Sequence, residues 1–278
     1  MSEVRDFTLT KYEDLLQAIK ETDYSTCTVY DFLKNIPEKC IILRHDVDRA
    51  VNRNLAMAKL EHSYGIKSTY YFRHIEETFK PDIIRQMAGM GHEIGFHYEV
   101  MDKANGDSEK AIEIFKKELE DIRKVTEINT ICMHGNPLKP WSNRDIWKKY
   151  DFKDFRLAGE PYLSIDYDKV FYLTDTGRTW ADLKIRVKDT VERSGTELKV
   201  DSKADLRKIS STNDVIRLIQ KEKVSQICLL VHPNRWCDDM EGWIKELVFQ
   251  NVKNIGKAGI VFLQNKKRTE GINVQKDK

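Results

Sequence analysis

Cys40-Ile41-Ile42-Leu43-Arg44-His45-Asp46-Val47-Asp48 is the stretch on which the fold turns. An apolar run of strand type ends abruptly in charge. If the strand persists to its last residue, two-residue alternation puts Asp46 and Asp48 on the same side. Two like charges buried together are costly unless a cation or a shared proton offsets the repulsion. The stretch therefore poses two readings: a metal or acid–base site at a strand end, or a solvated loop.

Working outward, the same change of period recurs. Ala50 to Tyr64 carries Val51, Leu55, Ala58 and Leu60 at helical spacing, and Gly65 stops it. Lys67 to Arg73 is rich in strand formers. Pro81 opens a helix to about Met90, and His92 to His97 is a third strand. Asp107 to Val125 is strongly amphipathic, with Ile112, Phe115, Leu119 and Ile122 on one face. Short strands follow at Asn129–Met133 and Val170–Leu173, with a helical stretch at Arg144–Tyr150 between them. Further on come a possible strand at Lys184–Val187, a helix over about 213–222, the strand Gln226–Val231, and a last helix over about 239–256. Gly259 to Leu263 is one more strand or a helix end. Upstream, Thr10-Lys11-Tyr12-Glu13 has capping-box spacing and predicts a helix over about 11–20, and a short helix lies around Tyr30–Lys34. Strands alternating with helices, without a Pro/Gly/Ser-rich linker, predict a single α/β domain with a mostly parallel sheet, open or closed into a barrel.

Composition narrows the function. The 278 residues are 40% hydrophobic and 33% charged with a net charge of +2, so nothing drives the chain in bulk toward nucleic acid or a membrane. No run approaches the roughly 18 apolar residues of a membrane span. The start, Met1 to Asp6, lacks a signal-type apolar core, which predicts a cytoplasmic protein. Five cysteines with no C-x-x-C pair predict buried, reduced thiols.

Of seven histidines, His45, His74, His97, His134 and His232 fall at or just past the ends of five predicted strands. Parallel sheets gather these ends on one face, where such folds place their chemistry. With Asp46, Asp48, Glu99 and Asp175 near, that face suits a divalent ion held by His and Asp. His45 alternates away from the two aspartates, which predicts a packing or orienting role. His62 and His92 lie elsewhere, as surface and structural residues respectively.

In these segments the chain resembles the polysaccharide deacetylases of carbohydrate esterase family 4, and more closely their cytoplasmic H-D-V-D relatives linked to surface-polysaccharide synthesis. The matching pieces are Arg44 to Asp48, Gly65 to Phe72, Gly91-His92-Glu93-Ile94-Gly95-Phe96-His97, His134-Gly135-Asn136-Pro137, Tyr172 to Asp175 with Trp180, and Leu229 to Pro233. The resemblance implies a distorted (β/α) barrel of about seven parallel strands. It covers roughly 40–236; the barrel is expected over 40–265, after an N-terminal helical segment at 1–39 and before a charged tail at 266–278. It also implies a metal-dependent hydrolase, with Zn²⁺ as the expected ion, that removes acetyl from an N-acetylated saccharide or sugar precursor.

By position, Asp46 would be the general base, His232 the general acid and Asp175 its orienting partner. Asp48 and His97 would bind the metal. Where the family has a second histidine, this chain has Met101; where the family's third motif brings an arginine, it has His134. His134 is the expected third ligand, with Glu99 or Asp102 as alternatives, or a weakened site. Arg44, Glu99, Trp180 and Trp236 are expected to touch substrate, and Trp141 also falls nearby. Two rival functions stay open: a C–N hydrolase acting on a non-sugar amide, and a non-catalytic carbohydrate-binding relative.

Overall fold

The computed structural model describes residues 5–180 and 209–256. Seven strands form one sheet, all pairings parallel. They are β1 (Ser25–Cys27), β2 (Cys40–Val47), β3 (Thr69–Phe72), β4 (Glu93–Tyr98), β5 (Ile131–Met133), β6 (Phe171–Thr174) and β7 (Gln226–Val231). The order across the sheet is β5-β4-β3-β2-β7-β6, with β1 joining β2. The sheet curls into a distorted (β/α) barrel, as the alternation predicts. The segment before residue 40 is not only helical. Its β1 pairs with Cys40–Ile42, and β3 takes the same edge of β2 further on, from Arg44 to Val47.

β2 is the central strand, and all eight of its residues are buried. Ile41 and Leu43 pack into one core cluster, and Cys40 and Ile42 into another. Each such isoleucine or leucine contributes roughly 1.5–3 kcal/mol by leaving water. The helices are α1 (Leu9–Lys20), α2 (Val29–Lys34), α3 (Val51–Ser63), α4 (Pro81–Gly89), α5 (Val100–Lys103), α6 (Ser108–Arg123), α7 (Pro161–Ser164), α8 (Thr212–Gln220) and α9 (240–256). Asp107 caps α6 by accepting from the backbone N–H groups of Glu109 and Lys110, and Ile112, Phe115, Leu119 and Ile122 are buried as the periodicity predicts. Arg144–Tyr150 is a 3₁₀ turn, Asn143–Lys148, instead of an α-helix.

α1 begins earlier than the Thr10-based capping box predicts. Thr8 is the cap, accepting from the Lys11 N–H at 3.0 Å. The Thr10 N–H and hydroxyl donate instead to Asp238 Oδ1, at 3.1 and 3.2 Å. A distant carboxylate meets the donor that a local cap would otherwise serve. The predicted elements at 184–187 and 259–263, and the tail at 266–278, lie outside the described residues. None of the described helices is long and apolar enough to cross a membrane. All five cysteines are buried, and none forms a disulfide.

Behind β2 lies a polar cluster that the sequence did not announce. Glu61 of α3 is fully buried and accepts from the Tyr12, Ser68 and Tyr70 hydroxyls, and its Oε1 lies 2.7 Å from His45 Nε2. His45 also stacks on Tyr70, with ring centroids 4.3 Å apart. Its packing role on the far side of β2 follows from strand alternation. Burial alone would raise the Glu61 carboxyl, but His45, His92 and Ser68 outweigh it and hold it down from 4.5 to about 2. A lowered carboxylate stabilises the fold above its unfolded value and loses that contribution as pH falls through the folded one. Glu61→Gln is therefore expected to cost about 3 kcal/mol near neutral pH, as one partner of a buried pair is lost. The gap from wild type should be full above pH 4.5 and close as pH falls through about 2, measured by urea unfolding at each pH.

Candidate metal centre and active-site cavity

The ends of β2, β4, β5 and β7 open into a cavity of about 360 Å³. Asp46, Asp48, His97, His134, His232 and Arg235 line it, with the loop 135–138 and Gln250, Lys253 and Gly256 of α9. Strand alternation and the strand-end rule thus bring five predicted site residues to one place. α9 turns polar residues inward: Glu246 and Gln250 are buried, while Ile244, Val248, Val252 and Ile255 are exposed.

The two aspartates meet different surroundings. Asp46 is buried against Arg44, whose Nε donates to Oδ1 at 3.2 Å and whose Nη2 donates to Oδ2 at 3.0 Å. Burial would raise the Asp46 carboxyl, but the guanidinium and the nearby imidazoles of His97 and His232 hold it below its usual range. Asp48 has no such guanidinium. Its Oδ1 is buried with no hydrogen-bond donor, 3.6 Å from His97 Nε2 and 3.7 Å from His134 Nε2. Burial would raise this carboxyl too, yet His97, His134 and His232 hold it well below the usual range.

Each imidazole presents a defined nitrogen. His97 Nδ1 lies 3.0 Å from the Cys132 carbonyl, which can only accept, so Nδ1 carries the hydrogen and Nε2 faces the aspartates with its lone pair. Burial pushes the His97 imidazole down, but Asp46 and Asp48 more than offset this and raise it. The site is thus electronegative enough to attract positive charge. His134 stands across from His97, ring centroids 5.3 Å apart and nearly perpendicular. Asp48, His97 and His134 therefore offer one oxygen and two nitrogens around a buried oxygen that lacks a partner, a donor set suited to Zn²⁺.

A second grouping is geometrically tighter. Asp46, His97 and Cys132 bring one ligand atom each to within 4.8 Å of one another. Arg44 Nη2 donates both to Asp46 Oδ2 and, at 2.7 Å, to Cys132 Sγ. A guanidinium among these atoms already supplies the positive charge, so electrostatics favours a cation on the Asp48 side.

Asp175 and His232 form the other half of the site. Asp175 is fully buried and accepts from the His232 N–H (3.0 Å), Arg235 Nη1 (2.6 Å) and Trp236 Nε1 (2.8 Å). His232 Nδ1 lies 2.7 Å from Asp175 Oδ1 and carries the hydrogen, leaving Nε2 for the cavity. Burial would raise the Asp175 carboxyl, but Arg235 and His232 hold it low.

Several expected residues lie elsewhere. Arg44 is fully buried behind Asp46, packed over the Tyr162 ring at 4.6 Å, and does not line the cavity. Trp180 and Trp236 sit in the core, their indole N–H groups donating to Thr212 and Asp175, so their faces are not offered to a ligand. Glu99 faces Arg73 and His134, not the cavity. Burial raises its carboxyl, but His134 and Arg73 outweigh this and bring it to about 2. Asp102 accepts from Trp141 Nε1 and Asn143 Nδ2, and Met101 is buried in the apolar core. His74 lies near Glu118 and Asp121, outside the cavity. Sequence reasoning missed Arg235, Gln250 and Lys253. Arg235 follows His232 by three residues in a 3₁₀ turn, a signal that was present; the α9 residues gave none, because a strand-end rule does not look at helices.

No family model matches the chain, and no curated protein matches it. Among solved structures it is similar to the Xyl-CE4 domain of a multidomain xylanase from the hindgut metagenome of Trinervitermes trinervoides, at 15% identity and a TM-score of 0.36. The match covers 83% of this chain and 85% of that one.

The Arg44–Asp46 pair gives a direct test of the buried electrostatics. Arg44→Met is expected to cost roughly 3–5 kcal/mol by stranding a buried carboxylate. In an Asp46→Asn background the same change should cost much less, as a double-mutant cycle by chemical denaturation would show.

Proposed function

We propose that this chain is a metal-dependent amide hydrolase that removes acetyl from an N-acetylated sugar or glycan precursor, as its resemblance to the polysaccharide deacetylases suggests. The observation that carries the reading is the buried, donor-less Oδ1 of Asp48 between two imidazole nitrogens, in one cavity with Asp46 and His232. Asp48, His97 and His134 would hold a divalent ion, with Zn²⁺ the expected one. When bound, such an ion polarises a carbonyl and lowers the pKa of water to about 7.

The chain's own residues divide the remaining work. Asp46 accepts a proton from the attacking water through a carboxylate that Arg44 keeps ionised and fixed in place. A base held this low is weak, so it suits a water that is already activated. His232, doubly protonated at this step, delivers its Nε2 proton to the leaving nitrogen as the C–N bond breaks and is left neutral with its Nδ1–H held by Asp175. Arg235 and the Trp236 N–H keep Asp175 itself ionised and oriented. An amide needs this last proton, because an amine is a poor leaving group without it.

One observation favours a second reading. Among the described residues, no Phe, Tyr or Trp lines the cavity, although their rings are the usual stacking platforms for sugars. A C–N hydrolase acting on a smaller, non-sugar amide fits that lining equally well. Product analysis against a panel of N-acetylated sugars and simple acetamides separates the two.

Elemental analysis of the purified protein is expected to find a divalent metal, and Asp48→Ala or His97→Ala to remove both metal and acetate release. His232→Ala should keep the metal and slow hydrolysis by roughly 10²–10⁴. A metal-free wild type that binds saccharide without hydrolysing any amide would show a carbohydrate-binding protein instead.

A further inference from the structure

Glu99 sits beside the proposed centre without entering the cavity. It is buried, one residue past the end of β4. Arg73 Nη2 donates to its Oε2 at 2.6 Å, and Arg73 Nη1 donates to the Asp48 carbonyl at 3.3 Å. The same Oε2 lies 3.3 Å from His134 Nδ1. That nitrogen is buried and makes no hydrogen bond in this arrangement.

The His134 main chain is pinned on both sides. Its N–H donates to the Tyr98 carbonyl at 2.8 Å, and its carbonyl accepts from Asn143 Nδ2 at 2.8 Å. Only the ring torsions are left to set where Nε2 points. His97 has its ring fixed by a backbone carbonyl, and His232 by Asp175. Among the described residues, the carboxylate at the corresponding atom of His134 is Glu99.

We propose that Glu99 is a positioning residue: its carboxylate accepts from His134 Nδ1 and turns Nε2 toward Asp48, while Arg73 holds Glu99 in place. The proposal rests on the metal-centre reading above. It also says why Glu99 is not itself a ligand. Its Oε2 already faces a guanidinium, and it meets the ring at Nδ1, the edge away from Asp48. Carboxylates behind metal-bound histidines commonly tune affinity in this way, and losing one typically weakens metal binding 10–100-fold.

The test is a double-mutant cycle on Zn²⁺ affinity, measured by competition with a chromophoric chelator at fixed pH. The proteins are wild type, Glu99→Gln, His134→Ala and the double variant, with apo-protein melting recorded for each. Glu99→Gln is expected to weaken Zn²⁺ about 10–100-fold, and His134→Ala by at least as much. The double variant should bind no more weakly than His134→Ala alone, because Glu99 acts only through that ring. Glu99→Asp, which keeps the charge opposite Arg73 but shortens the reach, should also weaken Zn²⁺, and it serves if Glu99→Gln does not fold. Affinity unchanged within twofold in the Glu99 variants, or single effects that multiply in the double variant, would overturn the positioning role. A wild type that binds no Zn²⁺ would overturn the metal-centre reading itself, and with it this proposal.

Discussion

Asp46, buried on β2, and Asp48, part-exposed one residue past its end, face the same cavity, and the repulsion between them organises what surrounds them. Unit charges about 4 Å apart interact by about 4 kcal/mol at an effective dielectric constant of 20. Left unopposed, that would cost a large part of a domain's net stability. His97 Nε2 stands 3.8 Å from Asp46 and 3.6 Å from Asp48, so a positive charge at that nitrogen would answer both carboxylates. The remainder is divided. Arg44 neutralises Asp46 from beneath, and Asp48 is left with imidazoles on the cavity side. Arg44 on β2 and the imidazoles of His97 and His134 thus give two chemically identical groups different surroundings.

The β-strand has two faces, and its other face carries a comparable arrangement. His45, between Arg44 and Asp46 in sequence, points away and pairs with Glu61. Here a fully buried carboxylate is met by hydroxyls and an imidazole instead of a guanidinium. Alternation alone separates the two. Residues 44 and 46 serve the site, and residue 45 ties the strand to α3. The cluster behind β2 can therefore hold the strand end in register without touching anything that binds there.

Much of this was legible in the sequence, for identifiable reasons. Strand type and helical period located β2, β4, β7 and α6 closely, because strongly buried elements leave strongly patterned residues. The strand-end rule found Asp46, Asp48, His97, His134 and His232 because a parallel sheet does gather those positions. It failed where position along the chain says nothing about direction. Trp180 and Trp236 lie next to site segments but turn their rings into the core, and His74 lies past a strand end yet faces α6 acids. Arg44 was placed correctly and given the wrong neighbour. The alternation that sets Asp46 on the cavity side sets Arg44 on the same side one step deeper, where it meets Asp46 before any ligand could reach it. Thr10 fitted a capping box, but Asp238 took its donors, a contact that no local pattern encodes.

Met101 and His134 flank the paired ends of β4 and β5 in different surroundings. A thioether buried in the apolar core at the start of α5 is a poor partner for a hard or borderline ion. His134 lies one residue past β5 with its Nε2 3.7 Å from Asp48 Oδ1, and β5 is paired with β4, the strand that carries His97. The Cys132 carbonyl already faces His97 Nδ1 at 3.0 Å, and behind the His134 ring the carboxylate at a comparable 3.3 Å is Glu99, steadied by Arg73.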